Sequence, residues 1–176
     1  TRQTLQYQER EATLSEWASF VRKGKLAEKL FAQRHLSDIK WANSEQDKYE
    51  HWDMEGELHG KTSKFDVKEM KKINRWDSKP QDVLAWIEGT NNSGNEGWIK
   101  GLADYIVFER EESWLVVNRE ELFKFTWDRL REKGFPPGKK AYHIYDRSFW
   151  GKKDKTTLVP FKDIEYHLKD IVSLEK

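Results

Sequence analysis

Two short strings carry residue types from which hydrolytic chemistry can be built: Trp52-Asp53 and Phe65-Asp66-Val67-Lys68. Side chains along a strand alternate faces, so Asp66 and Lys68 point one way while Phe65 and Val67 point the other. An acid and an amine on one face, backed by apolar residues on the other, is the pattern of a strand that lines a site. The runs Glu50–Leu58 and Lys64–Met70 flank His59-Gly60-Lys61-Thr62, whose Gly and polar residues suit a turn, and together they predict a β-hairpin. That pairing brings Asp53 beside Asp66 on one face. Two such carboxylates repel by an energy on the order of several kcal/mol unless a cation lies between them. Mg²⁺ suits the place, because it takes oxygen ligands and keeps several waters. The same residues also fit an ordinary salt bridge between strand neighbours, since Asp-x-Lys triplets are common.

These groups need elements to hold them. From Thr13 to about Gln33, Leu14, Trp17, Val21, Leu26, Leu30 and Phe31 recur at three- and four-residue spacings, which predicts a helix that Gly24 can split in two. Thr13 with Glu16 resembles a capping box at its start. Ser37 to Lys48 is polar and reads as a loop. Further strands are expected at Val83–Gly89, Ala103–Glu109 and Ser113–Asn118, with Asn91 to Asn95 as a connecting loop. Arg119 to Lys133 has a helical pattern that Gly134 stops and Pro136-Pro137 keeps from resuming, and a last helix is expected over about Lys162–Val172. The outline is one α/β domain with a mixed central sheet of about five strands flanked by helices. Its core covers about residues 10–135, with a C-terminal extension over about 139–176.

Composition narrows the classes. A chain of 176 residues fits one domain with a real core. Mean hydropathy is low at -0.97, yet 14% aromatic residues argue against disorder. Thirty-two Lys and Arg against 31 Asp and Glu leave a net charge of +1, so any attraction to nucleic acid must come from a local patch. The absence of Cys excludes disulfides and thiolate metal sites. The five His show no zinc-site spacing, although His51 shares the expected strand face of Asp53. No Walker-type glycine loop indicates an ATP-driven activity. No apolar run approaches the roughly 18 residues of a membrane helix, and no secretory signal is seen, while Thr1 in place of Met suggests a trimmed or partial chain. The default expectation is a cytoplasmic protein with no membrane partner.

An acid at one strand, a spacer, then Asp-Val-Lys on the next strand resembles the PD-(D/E)xK nuclease superfamily. The matches are Asp53 and Asp66-Val67-Lys68. The longer string is Glu50-His51-Trp52-Asp53, Asp66-Val67-Lys68, Trp86-Ile87-Glu88, Gly97-Trp98 and Ala103-Asp104-Tyr105-Ile106. It is similar to restriction-endonuclease-fold proteins of phage and bacterial origin, over about residues 10–125. Trp52 stands where many members have Pro. The resemblance implies a restriction-endonuclease-like core and hydrolysis of DNA phosphodiesters with Mg²⁺ or Mn²⁺. It makes Asp53 and Asp66 metal ligands, with the Val67 carbonyl contributing. Lys68 would polarise the attacking water and stabilise charge on the phosphate. Helices of this fold often bring an acid toward the metal, which implies a role for Glu28, although a solvated helix residue amid Lys25 and Lys29 is an equal reading. Glu88 occupies a strand position where many members carry a Glu or Gln that touches the site. A homodimer that cuts both strands, in a bacterial or phage-infected cell, completes what the resemblance implies.

Lys71, Lys72 and Arg75 follow the Asp66–Lys68 strand and can neutralise DNA phosphates, or form a solvated basic loop. Lys139, Lys140, Lys152 and Lys153 are interleaved with Tyr142, Tyr145, Phe149 and Trp150, a mixture that can bind phosphates and stack bases or can be a strand with one buried face. Glu69 should point away from Lys68, Trp98 should be core, and Asp104 should serve the fold by hydrogen bonding near the sheet end. The rival to an enzyme is a nuclease-like fold kept as a binding module, against which the intact Asp53, Asp66 and Lys68 argue.

Overall fold

Buried side chains along the central strands alternate between two faces, and each face has its own apolar cover. The structure is a computed structural model and describes residues 24–131, 140–146 and 151–176. Helix α1, described over residues 24–35, precedes β1 (Ser37–Trp41), a π-helical turn (Gln46–Glu50), β2 (Met54–Leu58) and β3 (Lys61–Lys68). Then come β4 (Leu84–Thr90), a 3₁₀ turn (Trp98–Lys100), β5 (Tyr105–Glu109), β6 (Ser113–Asn118) and α2 (Arg119–Asp128). The last elements are β7 (Tyr145–Asp146), β8 (Lys155–Pro160), α3 (Phe161–His167) and β9 (Ile171–Glu175). One sheet has the order β1-β2-β3-β5-β6-β9, and a second has the order β4-β8-β7. Among the described strands β3 and β5 pair in parallel and the other neighbours are antiparallel, so the class is α/β with a mixed main sheet.

On one face of the main sheet, α1 lays Ala27 and Phe31 over Met54, Phe65, Val67, Val107, Trp114 and Val116. The Phe31 ring meets Phe65 edge-on at 5.8 Å and Trp114 at 5.6 Å. On the other face, Ile106, Phe108, Leu115 and Val117 pack with Ala85 and Ile87 of the second sheet and with Leu122 and Phe161 of the helices. Phe65 and Val67 therefore look toward α1, as alternation requires, and Asp66 and Lys68 look toward the second sheet.

The hairpin forms as its turn chemistry demands. His59 and Gly60 have φ of 49° and 80°, the left-handed pair of a two-residue turn whose twist matches the strands. That turn sets Met54 opposite Phe65, and the Asp53 N–H then donates to the Phe65 carbonyl at 2.8 Å. A slip of one residue would turn every side chain over. Asp104 fixes the next register: its N–H donates to the Lys64 carbonyl at 2.9 Å, and its Oδ2 accepts from the Lys64 N–H at 2.8 Å. The expected structural role of Asp104 holds.

Several expectations change. The strand expected at Val83–Gly89 exists as β4, but it leaves the main sheet and pairs with β8, Ala85 opposite Val159. A partner so distant in sequence leaves no local trace. The supposed loop at Ser37–Lys48 opens with β1, whose polarity is that of a mostly exposed edge strand. The β2 strand starts at Met54 rather than Glu50, and His51 sits in a left-handed turn (φ 58°) instead of sharing a strand face with Asp53. Helix α2 ends at Asp128, short of Lys133, because the Arg131 N–H donates to the Tyr142 carbonyl instead of continuing the helix. The expected Lys162–Val172 helix divides into α3 and β9, since Leu168 turns extended and Ile171 onward pairs with β6. The capping pair Thr13 and Glu16 and the Gly134-to-Pro137 stop lie outside the described residues. Among the described residues no helix is long and apolar enough to cross a membrane.

Phe31 is fully buried and is the main anchor of α1. Phe31→Ala should lower unfolding free energy by about 3–4 kcal/mol, measured by urea titration, as for other buried Phe truncations. A loss below about 1 kcal/mol would mean that α1 is not docked as described.

Candidate active site

β3 carries the centre. Asp66 Oδ1 and Lys68 Nζ stand 2.9 Å apart, with the Asp66 side chain 5% exposed and that of Lys68 25% exposed. The Lys68 ammonium also lies 4.8 Å from the Trp98 ring centroid, a cation–π contact from the 3₁₀ turn. The amine is thus clamped between a carboxylate and an indole, with one side open to solvent. Trp98 is core, as expected, and serves the site as well.

Asp53 precedes β2, at the point where β2 stops pairing with β3. The Val67 N–H, which a longer β2 would have engaged, instead donates to Asp53 Oδ2 at 2.7 Å. In a strand the N–H and C=O of one residue leave on the same edge, so the Val67 carbonyl faces this end of β2 too. The Asp53 carboxyl is thereby held at the edge of β3, where β2 ends. Glu28 of α1 and Asp47 of the π-helical turn join it around a cavity of about 340 Å³, and Asp66 approaches it across the hairpin.

Charge is crowded here. Burial, then the neighbouring Asp66, pushes the Asp53 carboxyl up to about 8 against the pull of Lys68. Burial, then Asp53 and Asp47, pushes Glu28 up to about 7. Burial also raises Asp66, more than Lys68 lowers it. Lys68 itself is held above the ordinary lysine value: burial works against its charge, but Asp66 and Asp53 outweigh that. Asp66 Oδ2 is buried with no hydrogen-bond partner of normal geometry. A divalent cation would offset the crowding that raises these carboxyls. Among the described residues no three His, Cys, Asp or Glu side chains form a ready metal ligand set. Two carboxylates with water and a substrate phosphate are nonetheless a common Mg²⁺ arrangement, and the orphaned Asp66 oxygen fits it.

The other expected residues divide between the two sides. Glu28 belongs to the Asp53 cavity rather than to a solvated helix face. Glu88, on the second sheet, faces Lys68 across another cavity, accepts a hydrogen bond from the Trp98 N–H, and is raised by burial. His51 lines that second cavity, with Nε2 on the Glu96 carbonyl at 3.0 Å, and so stands with Lys68 and Glu88. Glu69 is taken by Lys71 at 2.9 Å. Lys72 and Arg75 are exposed, and the Lys72 carbonyl accepts from Trp86 Nε1. Lys152, Lys153 and Lys140 are exposed, and Lys153 packs against the Gly94 turn; Lys139 lies outside the described residues. The Asn91 to Asn95 loop closes on itself through Asn91 Oδ1, which accepts from Ser93 and Asn95, and is a connection. Asp47 escaped the sequence reading, since a lone acid in a polar stretch gives no sign of the π-helical turn that aims it.

No protein-family model, no curated protein and no solved structure matches this chain.

Asp53 ordinarily titrates near 3.8 and here near 8, so between those values the folded chain keeps a proton that the unfolded chain has lost. Stability in EDTA should therefore fall as pH rises from about 4 toward about 8, and Glu28, raised to about 7, adds in the same direction. Asp53→Asn should flatten that slope and raise the melting temperature at pH 8.5 by about 3 °C or more, on the order of 1 kcal/mol. Calorimetric scans across pH decide it, and a variant less stable than the parent at pH 8.5 would contradict the crowding.

Proposed function

We propose that this protein is a divalent-metal-dependent nuclease that hydrolyses phosphodiester bonds in DNA. One observation carries the reading: Asp53 and Asp66, crowded and short of compensating positive charge, converge at one end of a hairpin whose next inward group is the Lys68 amine. The order of helix, hairpin and parallel strand β5 around that point supports it further.

Asp53 and Asp66 would hold the ion, with the Val67 carbonyl on the same edge and Glu28, which lines the same cavity as Asp53, adding negative charge beside it. When bound, Mg²⁺ or Mn²⁺ supplies Lewis acidity, lowering the pKa of water and offsetting charge on the scissile phosphate. Lys68, kept cationic by Asp66 and Asp53, donates hydrogen bonds to oxygen where negative charge builds. Asp66 and Trp98 fix where that amine points, so little reorganisation is needed during reaction. Exposed Lys72 and Arg75, on the loop that follows β3, and Lys152 and Lys153, ahead of β8, would meet flanking phosphates.

The second reading, a nuclease-like fold that binds without cutting, draws support from the missing third ligand among the described residues. One assay separates the two. Plasmid and single-stranded DNA are incubated with Mg²⁺, Mn²⁺ or EDTA. Cleavage should require the metal, and Lys68→Ala and Asp66→Asn should each slow it by about 100-fold or more, near 2.7 kcal/mol. DNA binding with no cutting in either metal would leave the module.

A further inference from the structure

Asp53 does not line the second cavity beside Lys68, a space of about 400 Å³ between the main sheet and β4. This size lies in the roughly 300–1,000 Å³ range of small-molecule sites. Its walls are aromatic: Trp98, Phe108 and Phe161 stack edge to face in a row, at 6.2 and 5.4 Å, and Trp86 closes one side. Its polar lining is mixed: Lys68, Lys71, His51 and Gln81 stand with the carboxyls of Glu69, Glu88 and Glu109, and Thr156 of β8 lies directly opposite Glu88.

The cavity also has an arm. Lys71 and Gln81 pair across the base of the loop that joins β3 to β4, with the Gln81 N–H on the Lys71 carbonyl at 3.1 Å, and both residues line the cavity. Trp86 Nε1, on the cavity wall, donates to the Lys72 carbonyl at 3.0 Å and so pins the loop just past the Lys71–Gln81 bridge. Between those ties Trp76 is 89% exposed, among exposed Lys72, Arg75 and Lys79. A solvent-facing indole on a loop that also carries exposed cations suits a base-stacking platform.

We propose that the cavity takes an unpaired nucleobase next to the scissile phosphate while Trp76 stacks on another, so that the substrate is single-stranded DNA or a frayed strand end. Bases in an intact duplex have their faces covered by neighbours and show only edges, whereas aromatic walls and an exposed indole take faces. The overall charge of +1 gives no broad field for a duplex backbone, so affinity comes from stacking together with the local cations Lys72, Arg75 and Lys79. The placement beside a scissile phosphate rests on the nuclease reading; the binding of an unpaired base does not.

The test is anisotropy of a labelled short oligothymidylate against a blunt duplex of equal length, with Ca²⁺ in place of Mg²⁺. The single strand should bind at least about tenfold more tightly. Trp76→Ala, on the surface, should weaken it by about fivefold or more, the lower end for loss of one stacked base. Thr156→Phe, which fills the cavity, should weaken it by about tenfold, with a melting scan to show that it folds. Duplex binding as tight as the single strand, or a single-strand affinity that neither substitution alters, overturns the proposal. Tight, substitution-sensitive single-strand binding without cleavage in any metal supports it and removes the hydrolysis. Metal-dependent cleavage of blunt duplex as fast as single strand, unaffected by Trp76→Ala, overturns it and keeps the nuclease.

Discussion

Two carboxyls facing each other across the end of a β-hairpin impose the condition that everything else answers. Ionised together at short range and partly buried, Asp53 and Asp66 would repel strongly, and removal from water adds to that cost. In the absence of a cation the molecule relieves the pressure by holding a proton on Asp53 near neutral pH. The geometry that creates the pressure is not accidental to the fold. The left-handed His59-Gly60 turn sets the register, the end of β2 frees the Val67 N–H, and that N–H fixes the Asp53 carboxyl beside Asp66. Each link is local, and each would fail with a one-residue slip.

Around this pair the two faces of the sheet do different work. The α1 side supplies more negative charge through Glu28 and Asp47, a setting that favours a small divalent cation. The second-sheet side supplies the Lys68 amine, held by Asp66 and Trp98, and an aromatic cavity bounded by β4. A near-zero net charge conceals this local polarity, in which four acids (Glu28, Asp47, Asp53 and Asp66) meet at the centre and exposed Lys72, Arg75, Lys152 and Lys153 sit on loops. Phosphate chemistry needs both: a place for the cation, and a cationic approach for the substrate.

What was legible in the sequence was what local chemistry decides. The hairpin was visible from its turn residues and from alternation in Phe65-Asp66-Val67-Lys68, and the same alternation placed Asp66 and Lys68 on one face. β5 and β6 stood out as apolar runs around a tight turn. What escaped was decided by partners far along the chain. β4 reads as a strand from its residues, but only β8 determines that it leaves the main sheet. The helix expected over about Lys162–Val172 runs into the start of β9 because Ile171 and Val172 are apolar under either assignment, and pairing with β6 settles the matter. The early end of α2 depends on the Tyr142 carbonyl. His51 reads as sharing a strand face with Asp53, whereas its own left-handed backbone (φ 58°) puts it on the Lys68 side. The Asp53–Asp66–Lys68 centre was readable because its three members lie on one hairpin; Asp47 and the Trp86 wall were not, because longer-range structure brings them in.

The most direct measurement is calorimetric titration of the metal-free protein with Mn²⁺ at pH 7, repeated in buffers of different ionisation enthalpy to count protons released. If Asp53 holds a proton up to about 8, one ion should bind at one site and release about one proton, and Asp53→Asn should abolish both. Binding without proton release, or binding that survives replacement of both Asp53 and Asp66 by Asn, would contradict a cation seated between these two carboxyls.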